Sequence, residues 1–225
     1  MPAFNEERSI HGALDMLDRV VKETGLRYEV VVVDDGSADE TMSRATNYAN
    51  NNGHVKVVGY RRNLGKGHAI KTGFVESTGE AVVFVDSDLE IDFGKVTSYV
   101  EALRHGDIAI ASKWHPESIV EIPLIRKILG LGFNVLVRLL VGVKFKDTQT
   151  GFKAIRGAAL AKILPGLAVK RYAFDVELLA VANLYGLKVV ELPVKVKMRR
   201  LFNPMDVWRM LIDVLGIAYR LRVLR

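Results

Sequence analysis

The stretch Glu29 to Glu40 reads EVVVVDDGSADE, four valines running into two aspartates, a glycine and a serine. Consecutive β-branched residues favour an extended chain, and a strand apolar on both faces belongs in a sheet covered on both sides. The acids and the Gly-Ser turn end it abruptly. Upstream, Ile10, Leu14, Leu17 and Val21 recur at helical spacing behind NEERS. Downstream the order repeats: a polar helix over 41–51, a strand over 55–60, a helix over 66–77 and a strand over 81–86, with a strand over 107–112 completing the first half. This alternation predicts an α/β fold, a mostly parallel central sheet flanked by helices. The second half is less regular, with helices expected near 123–140, 158–164, 174–185 and 204–221 and a strand over 188–197. No Pro/Gly/Ser linker, repeat or low-complexity tract divides the halves, so residues 1–225 are expected to form a single domain.

Composition narrows the partners. A chain of 225 residues that is 49% hydrophobic can bury one large core. With no cysteine, neither disulfides nor a thiolate zinc site is available, which favours a reducing compartment. The formal charge of +6 points to an anionic partner: nucleic acid, a phosphate-bearing substrate or an acidic membrane surface. The longest apolar-rich run, 128–143, is interrupted by Asn134 and Arg138 and falls short of the roughly 20 residues a spanning helix needs. No transmembrane helix and no signal peptide are expected.

A second strand also ends in acids: Ala81 to Asp92 reads AVVFVDSDLEID. Open parallel sheets bind ligands beyond the carboxyl ends of their strands, which places the site there. If the chain stays extended past Asp86, then Asp86 and Asp88 point the same way, and two converging carboxylates call for a cation between them. Mg²⁺ or Mn²⁺ suits carboxylates plus the phosphate oxygens of a substrate. The plain structural alternative is a set of solvated strand-end charges, and for Asp92 a cap on the next helix is the preferred reading. Asn63 to Gly73, NLGKGHAIKTG, offers backbone N–H groups and Lys66 to an anion. It is not a P-loop, because Gly67 follows Lys66, and it lacks the dinucleotide glycine spacing.

Taken together, PAFNEE (2–7), VVVDDGSADET (31–41), RNLGKGHAI (62–70) and DSD (86–88) resemble the family 2 glycosyltransferases of the GT-A fold. The resemblance implies a nucleotide-sugar donor with Pro2, Phe4, Asn5, Glu6, Asp34 and Asp35 around the nucleoside. It also implies Lys66 near the donor, Asp86 and Asp88 holding the metal on the diphosphate, and Glu90 as a further metal contact. In the second half, ASKWHPESIVEIPLIRK (111–127), FKDTQTGFKAIR (145–156) and VKRYAFDVELL (169–179) look like the polyprenyl-phosphate branch, nearest the dolichyl-phosphate glucose synthases. That implies a nucleotide-sugar half, 1–112, and an acceptor and membrane-facing half, 113–225. Lys113 and Arg126 are the expected lipid-phosphate contacts, catalytic alongside Asp86 and Asp88. Relatives commonly have arginine where Lys113 stands; lysine keeps the charge but loses the bidentate fork. Asp147, Gln149 and Lys153 are implied near the acceptor, although Asp147 and Gln149 also read as backbone-bonding turn residues. Arg171 and Asp175 are secondary site candidates, since a charged residue beside a helix start is usually a cap or a surface pair.

Chemistry supports a phosphate acceptor independently. A sugar hydroxyl needs a general base, whereas a phosphate monoester, with a second pKa of about 6, is already largely dianionic at neutral pH. The expected reaction is an inverting single displacement on the donor, UDP-glucose favoured over GDP-mannose, giving a lipid-linked sugar for glycosylation. Two helices have apolar faces beside basic residues: Ile122, Ile125, Leu129, Phe133, Leu136 and Leu140 near Arg126, Lys127 and Arg138; and Val207, Met210, Leu211, Val214, Ile217 and Leu221 near KVKMRR, Arg209, Arg220, Arg222 and Arg225. Such helices can lie in a membrane interface, giving a peripheral protein at the cytoplasmic face, or pack in a core or against a second copy in a homo-oligomer. Relatives reach PAFNEE through an apolar strand, but here Met1 directly precedes Pro2, so the sheet is expected to lack a strand under the nucleotide pocket unless the start is misassigned or shortened.

Other readings are a GDP-mannose-dependent synthase, a processive synthase and a nucleotide-sugar or nucleic-acid binding module. The only glutamine is Gln149, so the processive QxxRW motif is absent. No interleaved aromatic and basic stripe of a nucleic-acid binder is present, so no nucleic acid is expected.

Overall fold

The computed structural model describes residues 1–171, 173–198 and 204–223. In chain order the elements are β1 (Pro2–Ala3), α1 (Ile10–Lys22), β2 (Val30–Asp34), α2 (Thr41–Asn50), β3 (Val55–Gly59), α3 (Lys66–Val75), β4 (Ala81–Phe84), α4 (Val96–Ala102), β5 (Ile108–Ser112), β6 (Ile119–Glu121), α5 (Leu124–Val141), β7 (Lys153–Arg156), α6 (Gly157–Ile163), α7 (Phe174–Leu184), β8 (Val189–Pro193), β9 (Lys195–Lys197) and α8 (Pro204–Val223).

The valine strand behaves as its composition dictates. All five residues of β2 are buried, and it runs parallel to β1 on one side and β3 on the other. Val30 and Val32 face one core, while Val31 and Val33 pack on Ala69 of α3. Of the strand expected to be missing or shortened, Pro2 and Ala3 form a two-residue piece, and the Met1 carbonyl accepts from Val33 N at 2.9 Å. A second sheet has the order β4-β7-β5-β8, and Ser87 Oγ donates to the Pro2 carbonyl at 3.0 Å, tying the end of β4 to β1.

Within β5, Ile108 and Ile110 point into a core built by α5, α6, α7 and α8, and Ala109 and Ala111 point into the opposite core with α1, α2 and α4. The period-2 alternation thus feeds two apolar layers, one on each face of the sheet. β7 was not anticipated. It is antiparallel to both β4 and β5, so its amino end lies at the same sheet edge as their carboxyl ends. The single strand expected over 188–197 is two strands in different sheets, because β8 pairs with β5 and β9 pairs with β6.

Helices α5 and α8 pack together, α8 through the apolar face read from the sequence, which is in the core, and α5 through a different one. On α8, Val214, Ile217 and Leu221 are core, and the exposed stripe is Met205, Trp208, Ile212, Leu215 and Tyr219. On α5 the inward face is Asn134, Val137 and Val141, leaving Leu124, Ile125, Ile128, Leu129, Leu131, Val135 and Leu139 exposed. Ile122, Phe133, Leu136 and Leu140 are half-buried. Of the basic residues expected beside these faces, Arg199, Arg200 and Arg225 lie outside the described residues. No described helix is long and apolar enough to cross a membrane.

Candidate active site

A cleft of about 720 Å³ opens at the carboxyl ends of β1 and β4. Pro2, Phe4, Glu6, Asp35, Lys66, Asp86, Asp88, Glu90, Lys113, Arg126 and Gln149 all line it, so residues from both halves of the sequence meet there.

The first two motifs lock together beside the cleft. Asn5, held at φ 54, accepts from Ala38 N at 2.9 Å through its side chain, and its own N–H donates to Ser37 Oγ at 2.9 Å. Glu6 N donates to Thr41 Oγ1 at 2.7 Å. Asn5 is therefore a brace and does not line the cleft. Asp34 is buried and accepts from Ser37 N and Oγ, as an aspartate opening a turn does. Asp35 accepts from Leu64 N at 2.8 Å and Gly65 N at 2.9 Å, so it pins the glycine-rich loop as well as facing the cleft.

That loop delivers Lys66 at the start of α3. Its Nζ lies 2.9 Å from Asp86 Oδ1 and 3.3 Å from Asp175 Oδ2. Burial alone pulls the ammonium pKa down, but Asp175 and Asp86 together raise it above its ordinary value. Asp175 is buried on the first turn of α7 and also meets Lys153 Nζ at 2.9 Å. Burial pushes the Asp175 carboxyl up, and Lys153 and Lys66 outweigh it, holding it below the carboxylate range. Asp175 therefore belongs to the site, not to a surface pair, and Arg171 also lines the cleft.

The chain does not continue extended past Asp86. Ser87 and Asp88 form a turn, Leu89 adopts φ 59, and Asp88 Oδ1 accepts from Glu90 N at 3.0 Å. Glu90 Oε2 lies 3.9 Å from Arg126 Nη1. Asp92 caps the following short helical turn by accepting from Gly94 N at 2.8 Å, as expected. Asp86 is held in place from behind: a β-carbon at Gly151 would lie 2.5 Å from its Cγ and closer still to Oδ2. The donor set fits a hard divalent ion, with two aspartates at the floor of an open cleft. Among the described residues no three acids or histidines gather into a ready-made cage, so such an ion would take its remaining ligands from water and substrate phosphate.

In the second half of the sequence, Lys113 N donates to Asp147 Oδ2 at 3.0 Å, and Lys113 Nζ lies 3.3 Å from that oxygen and 2.9 Å from Thr150 Oγ1. Asp147 is buried and also accepts from Gln149 N and Thr150 N. Burial pushes its pKa up, but Lys113 and these hydrogen bonds hold it below the ordinary range. Asp147 and Lys153 thus stand behind the cleft wall, the first positioning Lys113 and the second Asp175; Gln149 lines the cleft. The structure adds Trp114 and Asp213, which the sequence did not single out, and brings Asn134, Lys127 and Arg209 into the cleft, where the sequence read them only as an interruption of an apolar run and as basic residues beside apolar faces. Trp114 Nε1 is buried with no protein acceptor. Its place beside Lys113 in the sequence was the available signal. Burial raises the Asp213 pKa, against the opposing pull of Arg171.

Comparison with known proteins fits this arrangement. A family model described as "Glycosyl transferase family 2" matches residues 1–164. A dolichyl-phosphate beta-glucosyltransferase of Trichomonas vaginalis is 35% identical over 87% of this chain and 62% of its own length. The dolichyl-phosphate beta-glucosyltransferase of Homo sapiens is 34% identical over 86% of this chain and 65% of its own. The chain therefore spans somewhat less than two thirds of these curated relatives. Among solved structures, glucosyl-3-phosphoglycerate synthase from Mycobacterium tuberculosis, in complex with Mn²⁺, uridine-diphosphate and phosphoglyceric acid, superposes with a TM-score of 0.73 at 21% identity, over 96% of this chain and 74% of that one. That likeness shares the GT-A fold, and with the family match over most of the chain it carries one conclusion: the chain belongs to glycosyl transferase family 2.

Proposed function

We propose that this chain transfers glucose from UDP-glucose to a polyprenyl phosphate of the dolichyl type, inverting the anomeric carbon. The observation that carries the proposal is that one cleft is lined both by Asp86, Asp88 and the glycine-rich loop and by the cations Lys113, Arg126, Lys127 and Arg209. The names of the curated relatives support the same donor sugar and acceptor.

Asp86 and Asp88 would hold Mg²⁺ or Mn²⁺. When bound, such an ion neutralises charge on the leaving nucleoside diphosphate. Phe4, half-exposed at the mouth, and Glu6 and Asp35 face the nucleoside end. Lys66 stands within reach of the diphosphate, and Lys113 and Arg126 draw the acceptor phosphate in and orient its oxygen toward the anomeric carbon. No side chain is required to take a proton, because the phosphate is already anionic. Asp147, buried and saturated with hydrogen bonds, is consistent with that economy.

The acceptor would be met at a bilayer. Both α5 and α8 line the cleft on one side and expose apolar residues on another, with Lys127, Arg138, Arg209 and Arg222 exposed beside them. We assign this face to peripheral contact with the cytoplasmic leaflet, where basic residues meet anionic head groups.

The decisive experiment incubates the purified protein with a short polyprenyl phosphate and Mn²⁺ or Mg²⁺, offering UDP-glucose and GDP-mannose separately, with glycolipid detected by mass spectrometry. Glucolipid from UDP-glucose alone is expected. Product from GDP-mannose alone would move the chain to the mannose branch, and no product from either with folded protein would overturn the reading.

A further inference from the structure

Four charges alternate through the wall of the cleft. Lys153 Nζ lies 2.9 Å from Asp175 Oδ1, the other Asp175 oxygen lies 3.3 Å from Lys66 Nζ, and Lys66 Nζ lies 2.9 Å from Asp86 Oδ1. Lys66 therefore stands between two acids, one facing the cleft and one buried behind it. The Asp86 oxygens it holds are those a divalent ion would need, and an ammonium and a metal ion at contact distance from the same carboxylate repel each other strongly.

The surroundings decide which group can move. Asp86 cannot move back, because Gly151 stands behind its carboxylate; its free direction is toward the cleft, where the ion itself would sit. The backbone at Lys66 is also fixed: Gly65 sits at φ 96, where a β-carbon would lie 3.0 Å from the Lys170 carbonyl carbon and closer to its oxygen. Asp175 is anchored by Lys153, itself 1% exposed and bonded to the Thr150 carbonyl at 2.5 Å. What remains free to move is the lysine side chain, with four rotatable bonds and a second acid already within 3.3 Å.

We propose that Lys66 is the resident counter-ion of Asp86, and that a divalent ion takes the carboxylate only by shifting the ammonium onto Asp175. The inference rests on the reading of Asp86 as a metal-holding carboxylate. Lys66 and the ion compete for one site, so the ion alone binds weakly. Once displaced, the ammonium is available to the diphosphate, which brings compensating negative charge. Asp175 and Lys153 are positioning residues in this exchange: they give the displaced ammonium a place to go.

The test reads Mn²⁺ binding without substrate, from the loss of the free-ion electron paramagnetic resonance signal on titrating folded protein. Lys66→Met is expected to bind Mn²⁺ at least tenfold more tightly than wild type. Asp175→Asn is expected to bind it several-fold more weakly, because Lys66 then has only Asp86. A merely structural role would weaken both, so the opposite signs are the signature. Lys66→Gln is read the same way as Lys66→Met, and the two lysine variants decide the matter if Asp175→Asn does not fold. Unchanged or weaker Mn²⁺ binding in both lysine variants overturns the proposal. If Asp86→Asn abolishes binding while the lysine variants match wild type, the metal reading stands and the exchange alone falls. If Asp86→Asn binds Mn²⁺ like wild type, both fall.

Discussion

Replacing Gly151 by alanine separates the demands of the site from those of the fold. The added methyl would lie 2.5 Å from Asp86 Cγ. An ordinary carbon contact is ~3.5 Å, so the carboxylate must retreat by at least about 1 Å, and further at Oδ2. It can do so cheaply in folding terms, since the Asp86 side chain is 27% exposed and swings toward the open cleft. The stability cost is then about 1 kcal/mol, at the low end for overpacking, which lowers Tm by about 2–4 °C in a chain of this size. The functional cost is larger. A misplacement of about 1 Å in a positioned group can cost about 100-fold in rate, and the same movement breaks the approach to Lys66. The assay is initial-rate transfer to a short polyprenyl phosphate at saturating sugar nucleotide, with the melting curve recorded on the same preparation. Turnover within threefold of wild type would refute the reasoning. So would a collapse of Tm accompanying the lost activity, because the geometry puts the cost in the site.

Asp88→Asn should lose turnover while melting like wild type; full activity would remove Asp88 from the metal assignment. Leu139→Glu and Leu215→Glu, both on the exposed α5 and α8 face, should each weaken sedimentation with anionic phospholipid vesicles by about tenfold or more, as expected for removing a buried leucine from an apolar phase. Unchanged sedimentation would assign that face elsewhere, and a concentration-dependent dimer in ultracentrifugation would assign it to a second copy. Acid should destabilise the fold through Asp175 and Asp147. Both have folded pKa values depressed below the unfolded value of about 3.9, so their stabilisation is complete above that pH and is lost as pH falls through the folded values. Urea midpoints measured from about pH 6 to about pH 3 should fall less steeply in Asp175→Asn than in wild type; parallel curves would refute the assignment.

The parts of the molecule written locally were legible in the sequence. Val30–Asp34 had to be a doubly covered strand, Asp92 had to cap, and the acids ending two strands fell in one cleft. What the sequence hid depends on partners far along the chain. β7 is Lys-Ala-Ile-Arg, two apolar residues between two bases, and becomes a strand because β4 and β5 flank it and Asp175 takes its buried lysine. Asp175 stood only as a secondary candidate for the same reason: both of its lysine partners are remote in sequence. The turn at Ser87–Asp88 breaks the alternation assumed from an extended chain. Helix α5 is apolar nearly all round, so periodicity could not say which side packs; Asn134, a polar residue on the inward face, marks where the cleft begins.

The pairing of β5 with β7 has a consequence for how such a chain diversifies. Ile110 stands opposite Lys153, and Ala111 N donates to the Phe152 carbonyl at 3.0 Å, so the segment 113–152 leaves the sheet and returns to it at neighbouring strands on one edge. That segment carries Lys113, Trp114, Arg126, Lys127 and Gln149, and meets the donor half's carboxylates through the clearance at Gly151 and the approach of Arg126 to Glu90. Both ends are clipped to the sheet and its middle is fixed by the pairing of β6 with β9 and by Val137 and Val141 of α5 in the core, which leaves its loops as the parts open to change. Changes in those loops would alter the side chains offered to the cleft without moving Asp86, provided the glycine at the segment's exit is kept.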